Sequence, residues 1–362
     1  MIEQVAIIGV GLIGSSLGLA LQDVTEVKSV VGIDNNSRHV QEALDIGAID
    51  EEATLKEGVQ EADLVVLAVP VGIIKDLVIK IAPYLNSETI ITDVGSTKLQ
   101  LVKQLEEIVE DNTYIGGHPM AGSEVSGPSG ADKYLFENAI YALTKSNKTD
   151  EEALAKLKNL VKQLGAQPLI ISPQAHDQIV GITSHLPHVV AVSLMEVVAD
   201  YSKESDLLTS LIGGGFRDTT RISAGDPTMW KDIFLNNRDQ VLEGIDAFSN
   251  NLAELRELIA SKNEVKLKDK LAQIKEARTK IPMKKKGLLP SNYELILTLK
   301  DKPNQIGKVA TLLGVAKINI QDIEVLKVRD KGGTVRLSFN QEEEQEKAYS
   351  LLKEAEYKVI KK

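Results

Sequence analysis

Five short stretches carry residues whose type and spacing could do chemistry. Residues 116–124 read GGHPMAGSE and hold His118, one of only five histidines in 362 residues. Glycines cost backbone entropy and bring no side chain to bury, so a histidine fenced by them is a candidate for work rather than filler. Histidine is the usual general base near neutral pH, and oxidising an alcohol by hydride transfer needs such a base. A polar surface histidine in a loop is the plainer reading. Residues 184–188, SHLPH, place two more histidines three apart around Pro187, which should kink a helix and expose polar groups nearby. Two such histidines can serve a metal, but no further well-spaced ligand accompanies them, so no metal is expected. Substrate hydrogen bonding or internal satisfaction remains for His185 and His188. Residues 213–221, GGGFRDTTR, put Arg217 and Arg221 four apart. On one helical face they would suit bidentate clamping of carboxylates, or an ion pair with Asp218.

The other two stretches point to a nucleotide. Gly9-Val10-Gly11-Leu12-Ile13-Gly14 matches G-x-G-x-x-G between a strand-like and a helix-like run. In that motif the first glycine makes the tight turn, the second admits a pyrophosphate, and the third lets helix pack on strand. The helix then offers its free N–H groups to the phosphates. Asp34 ends the next strand-like run, where it would accept from a ribose 2′-hydroxyl and repel a 2′-phosphate, favouring NAD over NADP. Arg38 nearby works against that preference. Asp93-Val94-Gly95-Ser96-Thr97-Lys98 closes another strand-like run, where ligands bind in open α/β sheets. Ser96 or Thr97 could equally cap the next helix.

These residues need a frame. VAIIGVG, SVVGIDNN, EADLVVLAVP and SETIITDVGS read as buried strands with helical patterns between them, which predicts a Rossmann-like, doubly wound parallel sheet. NAIYALT and AQPLIIS are expected to extend it. Ser172-Pro173 reads as a helix cap followed by proline at the first helical position. From there to about Ile281 the pattern is helical throughout, and HDQIVGITSHLPHVVAVSLMEVVAD is apolar nearly all round, as for a helix buried on most sides. IPMKKKGLLPSN reads as a linker, and the remaining residues read βαββαβ, a ferredoxin-like unit. The expected domains are therefore 1–172, nucleotide-binding; 173–284, helical and dimerising; and 292–362, a small third unit.

Composition narrows the class. The formal net charge is -10, from 52 acidic and 42 basic residues, which argues against nonspecific nucleic-acid binding. The chain has no cysteine, excluding disulfides and thiol chemistry. The opening residues lack a leader-like pattern, and no apolar run approaches the ~20 residues of a membrane span. A cytoplasmic protein is expected.

GVGLIGSSLG, DVGSTK, GGHPMAGSE, SHLPH, GGGFRDTTRI and DPTMWKDIF, in this order, resemble the prephenate dehydrogenase family of tyrosine biosynthesis, which includes arogenate dehydrogenases. The resemblance covers essentially the whole chain. It implies oxidation of a cyclohexadienol at C4, with hydride passing to NAD⁺ and the ring carboxylate leaving as CO2. By that resemblance His118 accepts a hydrogen bond from the 4-hydroxyl and helps remove its proton, and Ser96 orients His118 or the same hydroxyl. Arg221 clamps a substrate carboxylate, while Ser184, His188 and Arg217 face the pyruvyl end. Ser123, Glu124 and Asp218 line or gate the entrance, and Trp230 packs beneath. Gly9, Gly11, Leu12, Ile13, Gly14, Asp34, Val69, Pro70 and Ser96 hold the cofactor. His188 and two arginines near the side-chain end suit a keto acid carrying two carboxylates, which favours prephenate over arogenate with its amino group. The tail resembles an ACT domain, implying an amino-acid effector, tyrosine first, although the family's D-x-P-G loop reads Asp301-Lys302-Pro303-Asn304 here. The helical region implies a homodimer. An arogenate dehydrogenase, or a non-catalytic sensor of NAD and an amino acid, are the alternatives.

Overall fold

The computed structural model describes residues 2–109, 112–122, 125–203, 207–281, 293–300, 302–329 and 332–361. The expected linker, 281–292, lies outside them apart from Ile281. The chain forms two compact units, Met1–Pro282 and Met283–Lys362.

The first unit begins with β1 (Gln4–Ile8), α1 (Leu12–Leu21), β2 (Ser29–Ile33), α2 (Ser37–Asp45) and β3 (Glu51–Glu52). α3 (Leu55–Gln60), β4 (Leu64–Leu67), α4 (Val71–Ile81), β5 (Ile90–Asp93), α5 (Leu99–Ile108) and β6 (Thr113–Pro119) come next. These strands lie in the order β3-β2-β1-β4-β5-β6 and all run parallel. Helices cover both faces, so the central strands read as unbroken apolar runs; Val5, Ala6, Ile7 and Ile8 of β1 are all buried. One core lies on each side of the sheet. The strand order reverses between β1 and β4, and the carboxyl ends beside that point form the crevice where ligands bind in such sheets.

β7 (Ile140–Thr144), α6 (Glu151–Gln163) and β8 (Gln167–Ile171) extend the sheet as expected, but with a turn of direction. β7 pairs antiparallel with β6, and β8 runs parallel to β7. A parallel neighbour normally needs a helical crossover. Among the described residues between β6 and β7 the helical structure is a single 3₁₀ turn, Pro128–Gly130, so the chain returns the opposite way.

Ser172 caps the next helix as expected, its Oγ accepting from Ala175 N–H at 3.2 Å. α7 (Pro173–Val180) passes through a π turn (Gly181–His185) into α8 (Leu186–Ser202). Where a kink at Pro187 was expected, the coil widens into this π turn. Leu186 N–H donates to Gly181 O, five residues back, and proline, lacking an N–H, fits the expanded coil. Two further expectations change here. Pro173–Ser202 is long and apolar enough to cross a membrane by length and composition alone, and 17% of its apolar window is buried within this chain. The apolar run escapes a linear reading because Asp177, the histidines and Pro187 interrupt it. Within one chain the helix is also not buried on most sides: Val192 and Val197 are exposed, while His188 and Ala191 face inward. α9 (Leu207–Ser210), α10 (Gly214–Thr220), α11 (Pro227–Asn236), α12 (Arg238–Ala260) and α13 (Glu264–Lys280) complete the unit.

The second unit is βαββαβ: β9 (Tyr293–Leu299), α14 (Gln305–Val315), β10 (Asp322–Arg329), β11 (Gly332–Phe339), α15 (Glu342–Glu354) and β12 (Lys358–Lys361). Its sheet, ordered β10-β11-β9-β12, is antiparallel throughout. Leu295, Leu297, Leu313, Leu337 and Leu352 fill its core. Asn304 takes a left-handed backbone, φ 66°, a conformation asparagine tolerates better than most residues. Asp301 lies outside the described residues.

Candidate active site

The crevice collects four segments. Gly9 follows β1 with φ 97°, and a Cβ there would lie 2.4 Å from Ala68 O. A Cβ on Gly14 would lie 1.9 Å from Gly9 O, so helix and strand are in contact at this point. Gly11 differs, since a Cβ there would meet nothing within 4 Å. It borders open space at the start of α1, where Leu12, Ile13 and Gly14 carry the first-turn N–H groups that no helical carbonyl takes up. Ser15 Oγ pins the turn by donating to Val10 O at 2.8 Å. Such a turn, with an open cradle and unclaimed donors, fits a pyrophosphate.

Asp34 stands at the end of β2, accepting from Val10 N–H at 3.0 Å and Asn36 N–H at 2.9 Å. It thus ties the glycine turn to the end of β2. Arg38 is exposed and its Nε donates to Glu42 at 2.9 Å, so it is turned to a neighbour on its own helix. Val69 and Pro70 follow β4, and Val69 lies against Gly9.

At the end of β5, Asp93 is wholly buried and anchors the next loop. It accepts from Tyr114 Oη at 2.7 Å, Gly95 N–H at 2.8 Å and Gly117 N–H at 3.1 Å, and pairs with buried Lys98. Burial pushes the Lys98 ammonium below its ordinary range, against the pull of Asp93. Burial, with Asp93 beside it, drives the Tyr114 phenol well above its usual value. Ser96 is half-buried in this loop. Neither Ser96 nor Thr97 caps α5, whose N-cap is Lys98 with no side-chain cap from its own segment. Asp177, from α7, does that work: Oδ1 accepts from Lys98 N–H and Oδ2 from Leu99 N–H, both at 2.8 Å.

His118 lies within β6 and not in a loop, paired with Ala142. Its glycine neighbours are buried strand residues that make room for partners. A Cβ on Gly117 would lie 2.3 Å from Asp93 O, and one on Gly116 would lie 2.3 Å from Thr144 Oγ1. His118 Nδ1 is 2.8 Å from His176 Nε2, and His176 Nδ1 is 2.8 Å from Asp177 Oδ1. Asn237 Nδ2 donates to Asp177 O at 2.8 Å and to His185 Nδ1 at 3.1 Å. Burial lowers His185 to about 4, so it is neutral at physiological pH.

His188 is buried and stacks on Trp230, rings 3.5 Å apart and nearly parallel. Its Nδ1 has no hydrogen-bond partner among the described residues, and burial lowers its basicity. Trp230 also meets His185 edge-on. Ser184 sits half-buried in the π turn. Arg217 and Asp218 are exposed on α10, with no ion pair between them among the described residues. Arg221 starts the 3₁₀ turn that comes after it, so the two arginines do not share one α-helical face. Ser123 and Glu124 lie outside the described residues. Among the described residues, no three His, Asp or Glu side chains gather as a metal site.

Linear reading missed His176, Asp177, Asn237, Lys98 and Tyr114. One signal was present: histidine is scarce, and His176-Asp177 stands four residues past the Ser172 cap. Four of the five histidines, all but His39, meet in the stretch from β6 through α8.

The fold and site define a class, that of nucleotide-dependent dehydrogenases with a Rossmann-like half and a helical half. Residues 17–170 match the family model described as prephenate dehydrogenase, nucleotide-binding domain, and residues 172–273 match prephenate dehydrogenase, dimerization domain. The chain is 34% identical over 365 residues to the prephenate dehydrogenase of Bacillus subtilis, covering 99% of this chain and 98% of that one. It is likewise 34% identical over 356 residues to that of Lactococcus lactis subsp. cremoris, covering 98% of each. Among solved structures, Aquifex aeolicus prephenate dehydrogenase in complex with hydroxyphenyl propionate and NAD⁺ superposes with a TM-score of 0.74 at 36% identity, over 78% of this chain and 99% of that chain. The Synechocystis arogenate dehydrogenase gives 0.68 at 31%, over 76% and 99%. The chain belongs to the prephenate dehydrogenase family.

Proposed function

We propose that this chain catalyses the NAD-dependent oxidative decarboxylation of prephenate to 4-hydroxyphenylpyruvate. The observation that carries the reading is the buried histidine–carboxylate cluster at the same sheet edge as the open glycine turn. NAD⁺, when bound, accepts the hydride. Leu12, Ile13 and Gly14 hold its pyrophosphate by their N–H groups, Gly11 gives it room, and Asp34 takes the ribose hydroxyls. Val69, Pro70 and Ser96 line the way to the reacting end. Bonding of Arg38 to Glu42 supports NAD over NADP.

His118 removes the proton of the 4-hydroxyl, with Ser96 orienting the same hydroxyl. Loss of the ring carboxylate as CO2 leaves its bonding electrons in the ring, which becomes aromatic, and the proton returns to the phenol oxygen. Ser184, His188, Arg217 and Arg221 receive the substrate's carboxylates and pyruvyl group, and Ser123, Glu124 and Asp218 guard the entrance. Trp230 holds His188 flat by stacking.

Residues 1–172 bind nucleotide, 173–284 bind substrate and pair two copies, and 292–362 form an ACT-like regulatory unit. The exposed apolar flank of α8 and α12, including Val192, Val197, Leu242 and Leu252, supports a homodimer, and the protein is read as cytoplasmic. A cavity of about 410 Å³, lined by Lys300, Asn304, Ile306 and Val335, supports an amino-acid effector, with tyrosine the first to try. Mixing the protein with NAD⁺ and prephenate or arogenate, with and without tyrosine, and following NADH absorbance tests the reading. Prephenate turnover slowed by tyrosine supports it. Turnover with arogenate alone corrects the substrate, and none with either removes the enzymatic reading.

A further inference from the structure

His118 meets His176, and His176 meets Asp177, in a line of two 2.8 Å contacts. His176 is 3% and Asp177 1% exposed, so water has little part in either contact. Among the described residues, each hydrogen-bond neighbour of the Asp177 carboxylate is a donor: Lys98 N–H, Leu99 N–H and the His176 ring. An ionised carboxylate only accepts, so the hydrogen between it and His176 belongs to His176 Nδ1. In a neutral imidazole the other nitrogen is then an acceptor. With His176 neutral, the hydrogen between the two rings sits on His118 Nδ1, and the lone pair of His118 lies on Nε2.

We infer that Asp177 and His176 are positioning residues that fix His118 in the tautomer whose Nε2 is the base. This rests on the reading of His118 as the group that deprotonates the 4-hydroxyl. As the O–H bond breaks and an N–H bond forms at Nε2, the electron pair stays on oxygen and the positive charge spreads over the His118 ring. The Nδ1–H bond passes that charge toward His176, and the Asp177 carboxylate balances it. The proton returns from Nε2 to the phenol oxygen once CO2 has left, so the relay ends as it began. The logic is that of a carboxylate holding an imidazole in the correct tautomer, lengthened by one ring. It also gives Asp177 a double task, since the same carboxylate caps α5 and so locks the helical half onto the nucleotide half.

The opposite tautomer of His176 would reverse the order, placing a hydrogen on His118 Nε2 and leaving no base there. Nitrogen-15 NMR of histidine-labelled, NAD-bound protein separates the two cases, because five ring systems can be assigned by single substitution. The expected spectrum shows His118 protonated at Nδ1 and bare at Nε2. In Asp177→Asn an amide NH2 in the place of Oδ1 can donate to His176 Nδ1, giving up the bond from Lys98 N–H, while its oxygen keeps Leu99 N–H, so both rings should invert. kcat should then fall by about 10² or more, with KM for prephenate and NAD⁺ within about threefold, the split expected when base function is lost and binding kept. Wild-type His118 protonated at Nε2 overturns the inference, and so does an Asp177→Asn enzyme with kcat within about threefold of wild type. If that variant does not fold, the wild-type resonance decides alone. Failure of the functional reading looks different: no NADH from wild type with either substrate, whatever the tautomer.

Discussion

Replacing His185 by glutamine should change how the protein responds to acid. The buried ring is lowered from 6.5 to about 4, chiefly because burial penalises its charged form. Asp177 pulls the other way, and His176 and His188 add to the lowering. Between those two values the unfolded chain binds a proton that the folded chain refuses, so stability rises with pH there and falls on acidification. From pH 7 to pH 4.5 that difference is worth about 2 kcal/mol for this one group. Carboxylates titrate too, so the quantity to compare is the loss in wild type minus the loss in His185→Gln. The glutamine oxygen can still accept from Asn237, which keeps the substitution mild at neutral pH. Trp230 is the only tryptophan and lies edge-on to His185 at 6.2 Å, so urea unfolding followed by its emission reports this region. Midpoints rather than intensities should be compared, at one protein concentration, because protonation of His188 against the indole alters brightness and association alters stability. Wild type should lose about 2 kcal/mol more than the variant. Equal losses would refute the claim that His185 is buried neutral.

Other substitutions probe the glycine turn, the buried ion pair and the exposed helical flank. Gly14→Ala forces a Cβ to 1.9 Å from Gly9 O and should destabilise the protein and abolish NAD⁺ binding. Gly11→Ala meets no atom within 4 Å, so it should leave the thermal midpoint alone and weaken only NAD⁺ affinity, as read by fluorescence titration; unchanged affinity would place the pyrophosphate elsewhere. Lys98→Met strips one partner from a buried ion pair, a loss of about 3–5 kcal/mol, and should fall near the lower end because Asp93 keeps Tyr114, Gly95 and Gly117. Denaturant unfolding measures it, and a loss under about 1 kcal/mol would show that Lys98 does not hold this loop. Val197→Glu on the exposed flank of α8 should turn a dimer into a monomer in sedimentation while leaving β1–β8 folded; an unchanged sedimentation coefficient would move the interface elsewhere.

Much of this was written in the chain. Alternating apolar runs and glycine spacing specify a doubly wound sheet and its nucleotide turn, because period and backbone freedom are local properties. The Ser172 cap, the left-handed Asn304 and the βαββαβ order of the second unit are local in the same sense. His118 stood out by type and surroundings. What sequence could not give was its company. The two contacts that orient it join residues 118, 176 and 177, and the cap on α5 comes from a helix 78 and 79 residues further along. Hydrogen-bond partners chosen across such separations leave no period in the sequence. The π turn before Pro187 and the reversal of β7 depend likewise on how a coil or a connection meets its neighbours. Composition and pattern thus determined the frame and singled out His118, while tertiary packing decided which second ring and which carboxylate lie beside it.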